Sequence, residues 1–252
     1  GNVDWLDAVS RTGFTMQHTL TISGGNDKNN YRVSADYRDA NGIDLRSGRE
    51  EYGARASIMH TTKSGLFTFT ANVAPRIIYR DNADWSVFKD AIEANPTTPM
   101  MDPENPTRYY NFMGQVVGSN PVERQKLEKD HADTKLLDWD ATVKLNLLPL
   151  LAKEGKSNHR LTTQLMFADH QYSNNNTWFR PSTSTIAINN GREGEASRSY
   201  SKERQQIMEW LTNYSGSFGQ HNVKVMAGYS YQYSNYSGFD AYNKDFPNDG
   251  LG

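Results

Sequence analysis

The sequence contains no cysteine in 252 residues, so it can form neither a disulfide nor a thiolate metal site. No apolar run approaches the roughly 18 residues that a transmembrane helix needs. Hydrophobic residues make up only 36% of the chain and the mean hydropathy is −0.79, which is low for a soluble core of this size. The net charge of −2, from 27 basic and 29 acidic residues, argues against a nucleic-acid-binding surface.

Motifs for catalysis and for cofactors are also missing. No HExxH, GxSxG, P-loop or GxGxxG occurs, and the six histidines have no metal-ligand spacing. Asp138 and Asp140 lie two residues apart on a predicted strand and could pass for a glycosidase carboxylate pair. A charged, wet face that also carries Lys144 explains them better. The sequence therefore assigns no catalytic residue, no metal site and no cofactor, and we predict that the chain is not an enzyme.

The sequence does contain alternating runs that predict β-hairpins. In residues 14–37, Met16, His18, Leu20 and Ile22 share one parity, and polar residues take the other. Residues 31–37 alternate in the same way after a turn at 24–30, which is rich in Gly and Asn. Successive side chains of a strand point to opposite faces, so each run has one apolar and one polar face. Glycine and asparagine tolerate the positive φ that such a reversal needs.

This unit recurs three times along the chain. The predicted strand pairs are 52–61 with 66–80, 137–147 with 161–172, and 206–218 with 223–236. Their turns fall at 62–65, at Lys153-Glu154-Gly155-Lys156 and at 219–222. The predicted loops are 39–51, 81–133 and 173–203, after a polar lead-in at 2–12. Within the longest loop we expect a short helix at 85–94, after which five prolines exclude regular structure.

The pattern predicts an all-β fold of about eight antiparallel up-and-down strands, with short turns at one end and long loops at the other. One apolar and one polar face per strand is typical of a transmembrane β-barrel, and aromatic residues near predicted strand ends fit its interfacial girdles. A soluble two-sheet sandwich also alternates and remains the alternative. For an incomplete barrel we expect a curved, open sheet with two unpaired edges; closure into a small barrel is the other possibility.

The barrel interpretation also predicts which way the side chains face. We expect these residues to point to lipid: Leu20, Val33, Phe69, Val143, Leu145, Val225 and Ala227. We expect these to point to the lumen: Thr19, Arg32, Thr70, Asp140, Lys144 and Lys224.

Nine short motifs are spread along nearly the whole chain. In order, they are Asp4-Trp5-Leu6-Asp7, Arg11-Thr12-Gly13, residues 20–26, Gly42-Ile43, residues 95–99, Asn120-Pro121-Val122, residues 218–222, Gly228-Tyr229 and Asp245-Phe246-Pro247. Together they resemble SusC/RagA-like TonB-dependent outer-membrane transporters. The resemblance implies that residues 1–252 are part of a 22-stranded barrel, about strands two to nine. The plug, the TonB box and the later strands would lie outside this sequence. The short turns would then be periplasmic and the long loops extracellular.

The resemblance also implies function and partners. Such transporters import oligosaccharides or peptides across the outer membrane, with a SusD-like surface lipoprotein as lid and with TonB as energy source. Membrane lipid would surround the barrel, and nothing in the sequence chooses between the two ligand classes. The alternative function is that of a soluble carbohydrate-binding or adhesive β-sandwich domain.

Aromatic residues in the predicted loops are the candidate ligand contacts: Trp85, Tyr109, Tyr110, Trp178 and Phe179. They could stack on sugar rings or contact a peptide, but packing of the loops on each other or on the lipoprotein explains them at least as well. Loops as long as 81–133 are usually functional or disordered. Its prolines and aromatic content favour an ordered extracellular rim.

Overall fold

Eight antiparallel strands form one continuous sheet in the computed structural model, which describes residues 2–148 and 158–251. The strands pair in sequence order: β1 Phe14–Gly25, β2 Asn29–Asn41, β3 Gly48–Thr61, β4 Phe67–Asp81, β5 Lys129–Asn146, β6 His159–Arg180, β7 Glu195–Phe218 and β8 His221–Lys244. β1 and β8 do not pair with each other, so the sheet is open. The prediction of an all-β, up-and-down sheet is confirmed. The described residues form no second sheet, so the sandwich alternative is wrong.

Short helices occupy the connections. They are α1 Trp5–Val9, α2 Ser86–Glu93, α3 Pro121–Leu127 and α4 Thr185–Asn189, followed by a 3₁₀ turn at Asp249–Leu251. Helix α2 confirms the helix predicted near residues 85–94. None of the helices in the described part of the chain has the length and apolar content to cross a membrane.

The short turns lie at one end of the sheet, at residues 26–28, 62–66 and 219–220. Gly65 and Gly219 adopt φ values of +72° and +60°, in the left-handed region that favours glycine. The predicted turn at Lys153–Lys156 lies outside the described residues. The connections at the other end are 42–47, 82–128 and 181–194.

All three predicted loops are too long because the strands continue into them; for the loop predicted at 81–133 the connection is 82–128. Residues 39–41 belong to β2 and 48–51 to β3, which reduces the loop predicted at 39–51 to six residues. Likewise, β6 continues to Arg180 and β7 begins at Glu195, inside the loop predicted at 173–203. The strand prediction followed apolar alternation, which stops where both faces become polar. The backbone pairing does not need that alternation and continues past it.

Two further expectations for the connections are wrong. The prolines do not exclude regular structure after Ala94, because Pro121 is the first residue of α3. Proline lacks an N–H that this position leaves unpaired in any case, and its fixed φ suits a helix start. The lead-in at 2–12 is not simply polar, since it contains α1, whose Trp5 and Val9 are buried.

The register places the two predicted sets of side chains on opposite faces. Phe69 lies opposite Val143, which lies opposite Leu165, whereas the adjacent row pairs Thr70 with Thr142. We call the first the apolar face and the second the polar face. The apolar face carries a continuous band of exposed side chains: Leu20, Ile22, Val33, Ile58, Phe69, Val73, Val143, Leu165, Phe167, Met208, Trp210, Tyr229 and Tyr231. The sheet itself thus leaves its apolar side chains in contact with the surroundings.

The main buried core lies outside the sheet, in the connection between β4 and β5, residues 82–128, which we call the insert. Its buried side chains join those of α1 in one cluster: Trp5, Val9, Val87, Ala91, Ala94, Phe112, Val117 and Val122. Trp5 and Phe112 meet edge to face at 5.3 Å between ring centroids. The insert therefore reaches from the β4–β5 junction to the segment that precedes β1.

Candidate functional site: the rim and the polar face

Asn120 fixes the middle of the insert. Its side-chain carbonyl accepts hydrogen bonds from the N–H groups of Val122 and Glu123, at 3.1 and 3.3 Å, and so caps α3. Its amide donates to the carbonyl of Met100 at 2.9 Å. Because Asn120 is fully buried, these bonds satisfy polar groups that water cannot reach. One side chain thereby joins the helix to the irregular stretch before it.

Arg124 joins α3 to the start of the insert. Its guanidinium forms ion pairs with Asp84 and Asp90, and it is mostly buried. Burial opposes the charge on Asp84, but hydrogen bonds from Ser86 and Arg124 and the charge of Arg124 outweigh it and lower the pKa of Asp84. The insert is therefore held by an ionised polar network as well as by its apolar cluster.

Glu123 connects the insert to the β6–β7 connection. The Thr185 N–H donates to its carboxylate at 2.6 Å, and the Thr185 hydroxyl donates to the second oxygen. Burial raises the pKa of Glu123 above its ordinary value, although the Thr185 bonds act in the opposite direction. Asn111 and Asn189 form a second link between the same segments, with hydrogen bonds of 2.7 and 2.9 Å. The two connections therefore form one rim, which we define as the insert, α1 and residues 181–194.

Arg180 fastens this rim to the strand ends. Its Nε donates to Glu128 at 2.7 Å, just before β5, and its Nη1 donates to Glu195 at 2.8 Å, at the start of β7. Glu195 also accepts from the Tyr242 hydroxyl at 2.8 Å, on β8. One guanidinium and two carboxylates thus hold the ends of β5, β6, β7 and β8 together.

The polar face below the rim is charged and internally paired. Arg76 forms ion pairs with Asp36 at 3.0 Å and with Glu51 at 2.9 Å, and Arg38 lies 3.6 Å from Glu51. Further along, the Asn72 amide donates to Asp140 at 2.9 Å. Asp138 and Asp140 share this face, but Asp138 pairs with His170 instead of forming a carboxylate pair with Asp140. Such a surface suits contact with water and polar ligands, not a packed core.

In the described part of the chain, no cluster of three or more His, Asp or Glu side chains is arranged to hold a metal ion.

Comparisons with known proteins give relatives of one kind. No protein-family model matches the chain. The TonB-dependent receptor P3 of Formosa agariphila is 26% identical over 245 residues, which cover 92% of this chain and 23% of the receptor. The TonB-dependent receptor SusC of Bacteroides thetaiotaomicron is 24% identical over 172 residues, which cover 59% of this chain and 17% of SusC.

Solved structures of the RagAB peptide importer share the fold. The closed-closed state superposes with a TM-score of 0.76 over 100% of this chain and 28% of the compared chain, at 17% identity. The open-open state gives 0.75 over 99% and 27%, also at 17% identity. The chain is similar to a segment of SusC/RagA-like TonB-dependent receptors. It spans about a quarter of the length of the receptor P3 and of the RagAB chains.

The candidate aromatic residues do not form one site in the described structure. Trp85 is 64% exposed and stacks on Phe88, with 6.1 Å between the ring centroids. Tyr109 and Tyr110 pack against the insert cluster. Trp178 and Phe179 lie on β6, not in a loop as predicted, and as strand neighbours they point to opposite faces. The Trp178 ring faces Arg180 at 4.9 Å, whereas Phe179 is buried on the apolar-face side.

Sequence reasoning missed the residues that build the rim. Asn120, Glu123, Arg124 and Arg180 carry its long-range polar contacts, but each looked like an ordinary loop or surface residue. Asn120 had a usable signal, because Asn followed by Pro is a helix-start pattern. Thr185 lies 62 residues after its partner Glu123, and Glu128 lies 52 residues before its partner Arg180. No local pattern encodes such a pairing.

Proposed function

We propose that the chain forms part of the barrel of an outer-membrane TonB-dependent transporter, which imports oligosaccharides or peptides together with a SusD-like surface lipoprotein. The observation that carries this proposal is the exposed apolar band on one face of a single open sheet, opposite a charged face. A bilayer covers such a band, and the charged face suits a water-filled lumen. The relatives are TonB-dependent receptors and RagAB is a peptide importer, which supports import and a peptide ligand. The lipoprotein partner follows from the resemblance of the sequence motifs.

The rim supports a role in handling the ligand. It stands at the end of the sheet opposite the short turns, which is the extracellular end in this proposal. Of the five candidate aromatic residues, Trp85 on the rim and Trp178 on the polar face are the two that an incoming ligand could contact. Tyr109 and Tyr110 shape the rim from within. Phe179 lies on the other side of the sheet, so we assign it a role outside the lumen.

Removing the insert tests this proposal. The N–H of Asn82 donates to the Asp130 carbonyl at 2.8 Å, so the two ends of the insert are adjacent. A short Gly-Ser turn can therefore replace residues 83–128 without separating β4 from β5. In the full-length protein we expect normal barrel assembly, measured by heat-modifiable gel mobility. We expect reduced uptake of oligosaccharides or peptides, or reduced capture of the lipoprotein.

A matched control replaces the turn at 62–66, at the other end of the sheet, with a Gly-Ser turn of equal length. This variant should assemble, import and capture the lipoprotein normally. If the insert deletion also left both import and capture unchanged, the rim would have no part in transport. Uptake assays with defined oligosaccharide and peptide mixtures identify the ligand class, and import of neither by the unaltered protein would refute the proposal.

A further inference from the structure

A groove lined with cations lies on the apolar-face side of the sheet, beyond the apolar band and toward the rim. Strand β6 forms its floor with neutral polar side chains, and β5 and β7 form its flanks. Register places Lys135, Ser173 and Lys202 in one row, and His131, Thr177 and Arg198 in another. Arg204 stands next to Gln171 at the band end of the groove. We call this feature the cationic groove.

The dimensions of the groove suit a headgroup. Neighbouring strands are about 4.8 Å apart, so the two flanks are separated by about 10 Å. At its rim end the groove opens into a cavity of about 410 Å³, lined by Lys129, Phe179, Arg198 and Tyr242 among others. The Lys129 ammonium lies 6.0 Å from the centre of the Phe179 ring. Cationic and hydrogen-bonding side chains over an aromatic wall form a surface on which a phosphorylated sugar can lie.

Two of the cations are held in place. Arg204 donates from Nε and Nη2 to the two oxygens of Asp169, both at 2.9 Å, and Gln171 donates to the same carboxylate at 2.8 Å. Asp169 is only 2% exposed, so this pair fixes the guanidinium against the sheet. Arg198 donates from Nε to Asn175 at 2.8 Å. Fixed donors reduce the ordering that binding an anion requires.

The charge of the groove is positive although the chain as a whole is slightly acidic. The carboxylates on this part of the face are already bonded, Asp81 and Asp133 to His131 and Asp169 to Arg204. Lys135 and Lys202 are exposed and form no ion pair with any residue between 2 and 148 or 158 and 251. Their charges remain available to an external anion.

We propose that the cationic groove binds the phosphorylated saccharide headgroup of a lipid whose acyl chains cover the apolar band. We favour a lipid over a soluble anion because the cationic groove adjoins the apolar band. Lys135 lies two residues beyond Leu137 on β5, and Arg204 lies four residues beyond Met208 on β7, so the cations begin where the apolar side chains end. Basic side chains at that level attract anionic headgroups. This inference rests on the proposed membrane location of the sheet.

The test uses the full-length protein, stripped of lipid in detergent and returned to vesicles. Vesicles of phosphatidylcholine alone are compared with vesicles that also contain a phosphorylated glycolipid, and glycolipid retained per protein is measured by mass spectrometry. The double variant Lys135→Gln with Lys202→Gln should retain glycolipid about 30-fold more weakly, at about 1 kcal/mol for each lysine. The control, Lys144→Gln with Lys224→Gln, removes the same charge from the polar face and should retain it normally.

Three results would overturn the inference. The first is an equal loss of glycolipid retention in the two double variants. The second is no preference of the unaltered protein for glycolipid over phosphatidylcholine. The third is complete displacement of the glycolipid by a soluble sugar phosphate. Assembly and uptake are measured on the same variants. If the Lys135→Gln with Lys202→Gln variant assembled, imported and retained glycolipid normally, the lipid site would be rejected but the proposed function would stand. Failure of the unaltered protein to enter the outer membrane would instead reject the proposed function.

Discussion

Several residues of the rim link segments that are distant in sequence. One of them, Glu123, has a carboxyl group whose pKa is shifted. Its carboxylate is 1% exposed and accepts both hydrogen bonds of Thr185. Burial raises its pKa, so the folded rim binds a proton more tightly than the unfolded chain does. The contribution of this group to stability is therefore fully present below the ordinary carboxyl pKa. It decreases as the pH rises through the folded pKa.

We predict that Glu123→Gln flattens this pH dependence. The amide keeps one acceptor for the Thr185 N–H, and its NH₂ group can donate to the Thr185 hydroxyl, but it cannot ionise. Hydrogen exchange of α3 and α4 amides in the full-length protein, measured from acidic to neutral pH, should show less loss of protection in the variant. Glu193→Gln, an exposed position in the β6–β7 connection that also contains α4, serves as the control and should behave as the unaltered protein. Identical pH profiles for Glu123→Gln and the unaltered protein would contradict the prediction.

At the scale of the strand, the two faces should respond differently to added charge. Val143 lies in the apolar band between Phe69 and Leu165, and Thr142 lies on the polar face between Thr70 and Met166. We predict that Val143→Arg costs about 2–4 kcal/mol near the bilayer midplane, because the guanidinium must leave water. Thr142→Arg should cost much less. Urea unfolding of the full-length protein in vesicles measures both, and equal costs would mean that the face assignment is wrong.

The sequence was sufficient to predict the hairpins and their faces, because a strand with one apolar and one polar face has a period of two. In β6 and β7 the alternation ended far short of the strand ends, since positions on the apolar-face side there carry polar residues such as Ser173 and Lys202. About 9–11 residues cross a bilayer, whereas β7 has 24. The remaining length has no hydropathy signal, and only the ladder of backbone hydrogen bonds defines it.

The rim was harder to predict for a different physical reason. Helix α3 depends on the cap of Asn120 and on burial of Val122 among side chains from α1 and α2. The Pro121 that starts the helix is, by composition alone, a sign of irregular structure. Short helices are marginal without tertiary packing. Their existence therefore followed from distant contacts that a local pattern does not contain.

For the molecule as a whole, the open sheet has a consequence for the isolated chain. Every residue of β8 is exposed, and the apolar band has no protein cover in the described structure. An unpaired edge and an uncovered band both promote association. We predict that the chain of residues 1–252, expressed alone, aggregates in buffer and is dispersed only by detergent. Light scattering coupled to size-exclusion chromatography checks this, and a stable monomer without detergent would contradict it.

Strand length doubles across the sheet, from 12 residues in β1 to 24 in β7 and β8. Because the short turns lie at a common end of the sheet, β6–β8 extend farther toward the rim than β1–β4 do. The insert and α1 lie beyond the ends of these shorter strands. Backbone hydrogen bonds between strands hold the long ends of β6–β8. Above β1–β4, the insert and α1 are held by one small apolar cluster and a few side-chain contacts. We therefore expect any widening at this end of the sheet to begin above β1–β4, where side-chain contacts and not paired strands hold the chain in place.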